Sequence, residues 1–168
     1  MAIKEILLIG NPELRKKSND INDFDKELNL IMQDLNDTLT YLQENKNIGR
    51  ALAAPQIGYF KNVIYYQQPN LSFYMINPKI IWKSKQMFNV WDSCFSFNVA
   101  FFVNIKRHKK IKIEFKDVNN KLINKEYNDD LSELFQHEVD HLNGILATDY
   151  LEDNHNLIMR EEWERKYR

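Results

Sequence analysis

Cysteine occurs once in the 168 residues, at Cys94, so no disulfide can form within the chain. Glycine and proline occur four times each, too sparsely for a flexible linker, and no domain boundary is visible. Internal repeats and low-complexity tracts are absent, and no apolar run reaches membrane-spanning length. The opening MAIKEILLIGNPELRKK has a short apolar run without a small-residue cleavage site after it. It reads as a first strand or an extended arm, not as a signal peptide. Net charge is only −1, which gives no basis for a nucleic-acid partner. A cytoplasmic location without membrane association is expected.

What is present fits one globular domain over 1–168, with 43% apolar and 28% charged residues. Leu28, Ile31, Leu35, Leu39 and Leu42 recur at helical spacing, which predicts a helix over 23–45 capped by Asn22 or Asp23. From Gly49 to Phe115 the texture changes to β-branched and aromatic runs, among them NVIYYQ, FYMINPKIIW and FNVW. IKIEFKDVNNKLINKEY alternates on both sides of Asn119-Asn120 and reads as a hairpin. A further helix is expected over 129–143, with Asp130 and Glu133 as a capping box and Gly144 as terminator. A last helix is expected over 153–166. The class is α+β: mostly antiparallel sheets around a central helix, flanked by an N-terminal and a C-terminal helix.

The central helix carries QHEVDHLNG at 136–144, an HExxH pattern. His137 and His141, one turn apart, face the same way and suit one metal ion, with Glu138 placed to move a proton. A third ligand is needed. The pattern can be a helix that merely carries histidines. A zinc protease would put a third histidine where Ala147 stands, or use Glu161 or Glu162 in the charged segment REEWERKYR, which otherwise reads as a solvated helix face. The remaining choice lies upstream, Cys94 in WDSCFSF. Taken alone, Cys94 reads as a buried hydrophobe, and it could be a nucleophile. A thiolate with two imidazoles suits a borderline-soft ion.

Three segments in order, GRALAAPQIG at 49–58, DSCFS at 92–96 and QHEVDHLNG, resemble the motifs of peptide deformylases. GNPELRKKS and GILATDYL fit the same pattern, so the likeness covers nearly the whole chain. The resemblance implies a deformylase fold and one divalent metal ion held by Cys94, His137 and His141. Fe2+ is the expected ion, with Zn2+, Ni2+ or Co2+ as substitutes. It implies hydrolysis of the N-formyl group from the initiating methionine of nascent polypeptides, with Glu138 moving the proton and formate released. Gln56 and the backbone N–H of Phe95 would serve the oxyanion. Gly49, Arg50, Ala51, Val90, Glu133 and Leu134 would line the substrate site. In some relatives the C-terminal segment contacts the ribosome.

The chain departs from the family near this chemistry. Ala51 replaces a glycine, and Arg50 an aliphatic residue, on the edge that pairs with substrate. Asp92-Ser93 replaces Glu-Gly, and Phe101 stands where the family has an arginine expected to pair with that acid, so the ion pair behind the ligands is expected to be missing. Glu133 and Asp130 replace apolar pocket residues, which puts the first side chain of the substrate in question. A different N-acyl peptide, or peptide binding with weak turnover, are the alternatives. KRHKKIK at 106–112 reads as an exposed strand face, and His108 and His155 as solvated.

Overall fold

A computed structural model describes residues 3–167. Met1 and Ala2, part of the N-terminal reading, lie outside the described residues. From Ile3 the chain is extended without joining a sheet, which selects the arm over the strand. The arm is fastened by its backbone: Leu7 N–H donates to Gln56 O and Ile9 N–H to Ser96 O, both at 2.8 Å.

Helix α1 (Lys26–Lys46) starts at Asp25, whose carboxylate accepts from the N–H groups of Glu27 and Leu28. The cap is thus Asp25, not Asn22 or Asp23. Asp25 is the acid that directly precedes the first helical turn, where the orphan N–H groups point. The helix ends at Asn47, in the left-handed region at φ 52°. Its predicted apolar stripe is buried against the sheet that follows.

That sheet has the order β1-β2-β3-β6-β7, antiparallel throughout: β1 (Ala51–Ala53), β2 (Val63–Gln68), β3 (Leu71–Lys83), β6 (Lys110–Lys116) and β7 (Leu122–Asn128). The β6–β7 hairpin turns at the predicted asparagines, with Asn120 at φ 60°. A second sheet has the order β4-β5-β8, from β4 (Met87–Asp92), β5 (Phe101–His108) and β8 (Leu157–Met159). Helix α2 (Asp129–Leu142) packs Phe135, Val139 and Leu142 into the larger sheet and also contacts β5 of the smaller one. Burying each such side chain contributes about 1.5–3 kcal/mol.

Two local expectations fail. No capping box opens α2: its N-cap is Asn128, without a side-chain cap bond. Asp130 and Glu133 turn to Arg50 instead, because an arginine fork is a stronger partner than a helical N–H. The C-terminal helix does not start at Asp153. Asp153 caps a short 3-10 turn, β8 pairs with the edge of β5, and α3 covers only Arg160–Tyr167. The unpaired backbone of β5 wins over local helix propensity there.

Gly144, at φ +72°, ends α2 as expected, and a Cβ there would meet the carbonyl oxygen of Arg15 at 2.3 Å. The close approach holds the N-terminal arm against the end of the helix, where Ser18 N–H also donates to Leu142 O at 2.8 Å. Among the described residues no helix is long and apolar enough to cross a membrane.

Candidate metal centre

Cys94 stands between β4 and β5, and His137 and His141 come from the buried face of α2. Their ligand atoms lie within 4.8 Å of one another. His141 Nε2 is 3.2 Å from Cys94 Sγ and 3.1 Å from His137 Nε2. Ligands about 2.0–2.3 Å from one tetrahedral ion stand about 3.3–3.6 Å apart, so these spacings are close to those of a ligand set. Two imidazole lone pairs and a sulfur pointed at one another without a cation would repel. The donor set therefore fits a divalent ion, and the third candidate ligand beside the two histidines lies upstream of the helix. Glu161 and Glu162 are exposed on α3.

Gln56 reaches the same point from the turn after β1. Its Oε1 accepts from Ala53 N–H at 2.9 Å, which fixes the amide so that Nε2 faces Cys94 Sγ at 3.4 Å and Ser96 Oγ at 3.3 Å. Phe95 opens a 3-10 turn, Phe95–Phe97, whose first N–H groups have no acceptor within the turn. Its ring lies over Gly49, where a Cβ would meet Phe95 Cζ at 2.2 Å. Only glycine, at φ +98°, fits at 49 beside this phenylalanine.

Glu138 is buried and its Oε2 has no partner. Burial pushes its pKa up to about 7, with His137 pulling down and Asp92 pushing up. His141 is held well below the ordinary imidazole value by burial and by the charge of His137. Burial also opposes charge on His137, but Asp92 and Cys94 outweigh it and hold its pKa well above the usual value.

The ion pair expected to be missing is present, built from another residue. Asp92, 1% exposed, has Oδ1 2.8 Å from His137 Nδ1, and its Oδ2 accepts from Arg107 at 3.0 Å. Arg107 also donates to Asp140 Oδ2 at 2.5 Å, and Asp140 Oδ1 accepts from the Tyr150 hydroxyl at 3.0 Å. The chain Asp140–Arg107–Asp92–His137 orients one ligand ring from behind. Burial works against the Asp92 carboxylate, yet His137 and Arg107 outweigh it and hold its pKa below the usual range. Arg107 lies within KRHKKIK, so that segment is not simply an exposed face. The signal was in the alternation: Val103, Ile105 and Arg107 share the inward side of β5. His108 is not free in solvent either, since its Nδ1 is 2.7 Å from Ser84 O, while His155 is exposed.

A cavity of about 230 Å³ opens on this centre. Its wall includes Gln56, Cys94, His137 and Glu138, together with Gly49, Arg50, Ala51, Glu133 and Leu134. Val90 is not part of it. Val90 packs toward the cluster around Cys94 and Phe97, and its neighbour Trp91, on the opposite face of β4, lines the cavity instead. Glu133 faces the cavity, 3.7 Å from Arg50, whose other terminal nitrogen is 2.6 Å from Asp130. Burial pushes the pKa of Glu133 up to about 7, helped by Asp92 and opposed by His137 and Arg50. Trp91, Phe102 and Arg160 line the cavity without having been singled out in the sequence.

Comparison with known proteins agrees with this geometry. Residues 3–156 match the family model of polypeptide deformylases. Peptide deformylase of Heliobacterium modesticaldum is 32% identical over 154 residues, covering 92% of this chain and 97% of that protein. Peptide deformylase 2 of Clostridium acetobutylicum is 35% identical over 150 residues, covering 89% and 95%. The crystal structure of peptide deformylase from Thermotoga maritima superposes with a TM-score of 0.82 at 29% identity, covering 91% of this chain and all (100%) of that one.

Proposed function

The chain belongs to the peptide deformylase family and is an enzyme of that family, and we propose that it hydrolyses the N-formyl group of nascent polypeptides, with methionine first, releasing formate. The observation that carries the proposal is the Cys94, His137 and His141 cluster standing at a cavity whose wall holds Cys94, His137 and the buried Glu138, with Glu138 Oε2 unpartnered. Cys94, His137 and His141 would hold a divalent ion, ferrous iron by family resemblance, with nickel, cobalt or zinc as substitutes. Such an ion polarises a carbonyl and makes water acidic enough to lose a proton near neutral pH.

The chain's own groups do the rest. Glu138 accepts a proton from the attacking water and delivers it to the amine nitrogen as the C–N bond breaks. A carboxylate whose pKa has risen toward neutrality can both take and return that proton. Gln56 Nε2 and the Phe95 N–H stabilise negative charge as it develops on the formyl oxygen. The Ala53 bond to Gln56 Oε1 sets the amide in advance, so little reorganisation is needed. Arg107 and Asp92 hold the His137 ring, and Gly49 with the Ala51 edge offers backbone groups to an extended peptide.

The position of Glu133 and Arg50 in the cavity wall favours a second reading of specificity: the preferred first side chain is polar or basic rather than methionine. Anaerobically loaded ferrous protein should release formate from formyl-Met and formyl-Lys peptides and leave acetyl-Met peptides intact. Cleavage of the acetyl peptides without cleavage of either formyl peptide would overturn the assignment.

A further inference from the structure

The cavity wall contains a cluster that no step above uses. Arg160 is the first residue of α3, and it reaches the cavity because β8 pairs with β5, Phe101 opposite Met159 and Phe102 opposite Ile158. Arg160 N–H continues that pairing by donating to Ala100 O at 2.9 Å. The guanidinium lies over the Phe102 ring, 4.5 Å from its centroid, and Phe102 stacks in turn on Trp163. Its Nε donates to Val99 O at 2.5 Å, and a terminal nitrogen is 3.4 Å from Ser93 Oγ. Ser93 directly precedes the ligand Cys94.

We propose that Arg160 is a specificity-determining residue whose guanidinium hydrogen-bonds a main-chain carbonyl oxygen of the substrate beyond its first residue. The inference rests on the formyl-peptide reading above. With the formyl group at Cys94, His137 and His141, the rest of the peptide must leave along the cavity wall. Nascent chains differ in side chains and share backbone carbonyls, and arginine is a donor without acceptor capacity. The contacts to Val99, Ser93 and Glu164 engage three of its five N–H groups. The pair with Glu164, 3.4 Å away and partly exposed, competes weakly. Stacking on Phe102 and the bond to Val99 fix the side chain before substrate arrives, which lowers the entropy cost of using it.

The test compares two substrates on each protein, formyl-Met amide and formyl-Met-Ala-Ala amide, with iron-loaded wild type, Arg160→Met and Arg160→Lys. Only the longer substrate has the carbonyls in question. Arg160→Met should lose about 10- to 100-fold in kcat/KM on the tripeptide, mainly through KM, and change little on formyl-Met amide. Arg160→Lys should recover part of the loss. The ratio of the two substrates is internal to each protein, so a partly folded preparation does not distort it. Equal losses on both substrates, or no loss on the tripeptide, overturn the role of Arg160. Failure of wild type to cleave these two substrates and their formyl-Lys counterparts overturns the formyl-peptide reading, and this inference with it; if only the formyl-Lys pair is cleaved, the same comparison is made on that pair.

Discussion

Replacing Arg107 by methionine removes the centre of the buried chain Asp140–Arg107–Asp92–His137. Arg107 is 3% exposed and Asp92 1%, so Asp92 would keep a charge in the interior with only His137 beside it. Asp140 keeps the Tyr150 hydroxyl and more solvent, and suffers less. Removing one partner of a buried pair costs about 3–5 kcal/mol. For a domain of this size that is a Tm lower by about 6–20 °C. The effect on the metal is separate. An Asp92 that takes up a proton to relieve its burial no longer fixes His137, and loss of such an outer partner costs about 10- to 100-fold in metal affinity. Thermal denaturation and chelator competition on iron- or zinc-loaded protein read the two effects. Asp92→Leu combined with Arg107→Met removes both charges, so it should regain much of the stability and none of the metal affinity. Lys106→Met, on the exposed face of the same strand, is the control. If Arg107→Met melts and binds metal as Lys106→Met does, the ion pair does not support the ligand and the reasoning is refuted.

Glu138→Gln should keep its metal and lose about 10²–10⁴-fold in kcat, because the amide keeps the size and cannot accept a proton; near-normal turnover would remove Glu138 from proton transfer. Cys94→Ala should lose most bound metal in elemental analysis, while Glu161→Ala on exposed α3 keeps it; the reverse would move the third ligand downstream. Glu133→Ile should raise kcat/KM for formyl-Met peptides, about tenfold for each ~1.4 kcal/mol recovered, and lower the relative rate on formyl-Lys peptides; unchanged kinetics on both would take Glu133 out of specificity. Burial raises the pKa of Glu133 to about 7 from 4.5, so its contribution to stability is fully present below about pH 4.5 and lost as pH rises through 7. Glu133→Gln should therefore gain stability relative to wild type between pH 5 and pH 8, by about 1–3 kcal/mol. A parallel pair of Tm-versus-pH curves would contradict this.

The histidine pair was legible in the sequence because a helix restricts spacing, so His137 and His141 announce one another; spacing left the third candidate open, and Cys94 came from the resemblance of three ordered motifs to peptide deformylases. The α1 stripe and the β6–β7 hairpin were legible for the same reason, a period matched to a surface. Contacts that depend on docking between distant elements were not. Asp92 has its partner on β5, at a position no spacing rule connects to it, and looking near the cysteine led to Phe101 instead. Asp130 and Glu133 carry the local signature of a helix cap, yet Arg50, remote in sequence, offers them a better partner. Val90 and Trp91 differ by one residue, and strand register alone decides which of them meets the cavity. The charged tail looked like one helix because its composition is helical, whereas the open edge of β5 takes three of its residues as a strand.

The arm that bonds to Gln56 O and Ser96 O has a consequence for the order in which this protein comes into being. A chain is synthesised from its N-terminus, so the arm, the turn of Gln56 and Cys94 all exist before either histidine. Until α2 has been made and has docked, the chain has one of its three candidate ligand residues, and an ion could not be held between them. Contacts of such long sequence separation form late and slowly. Metal uptake at these residues would thus fall at the end of assembly, with finished chains taking the ion in preference to partial ones.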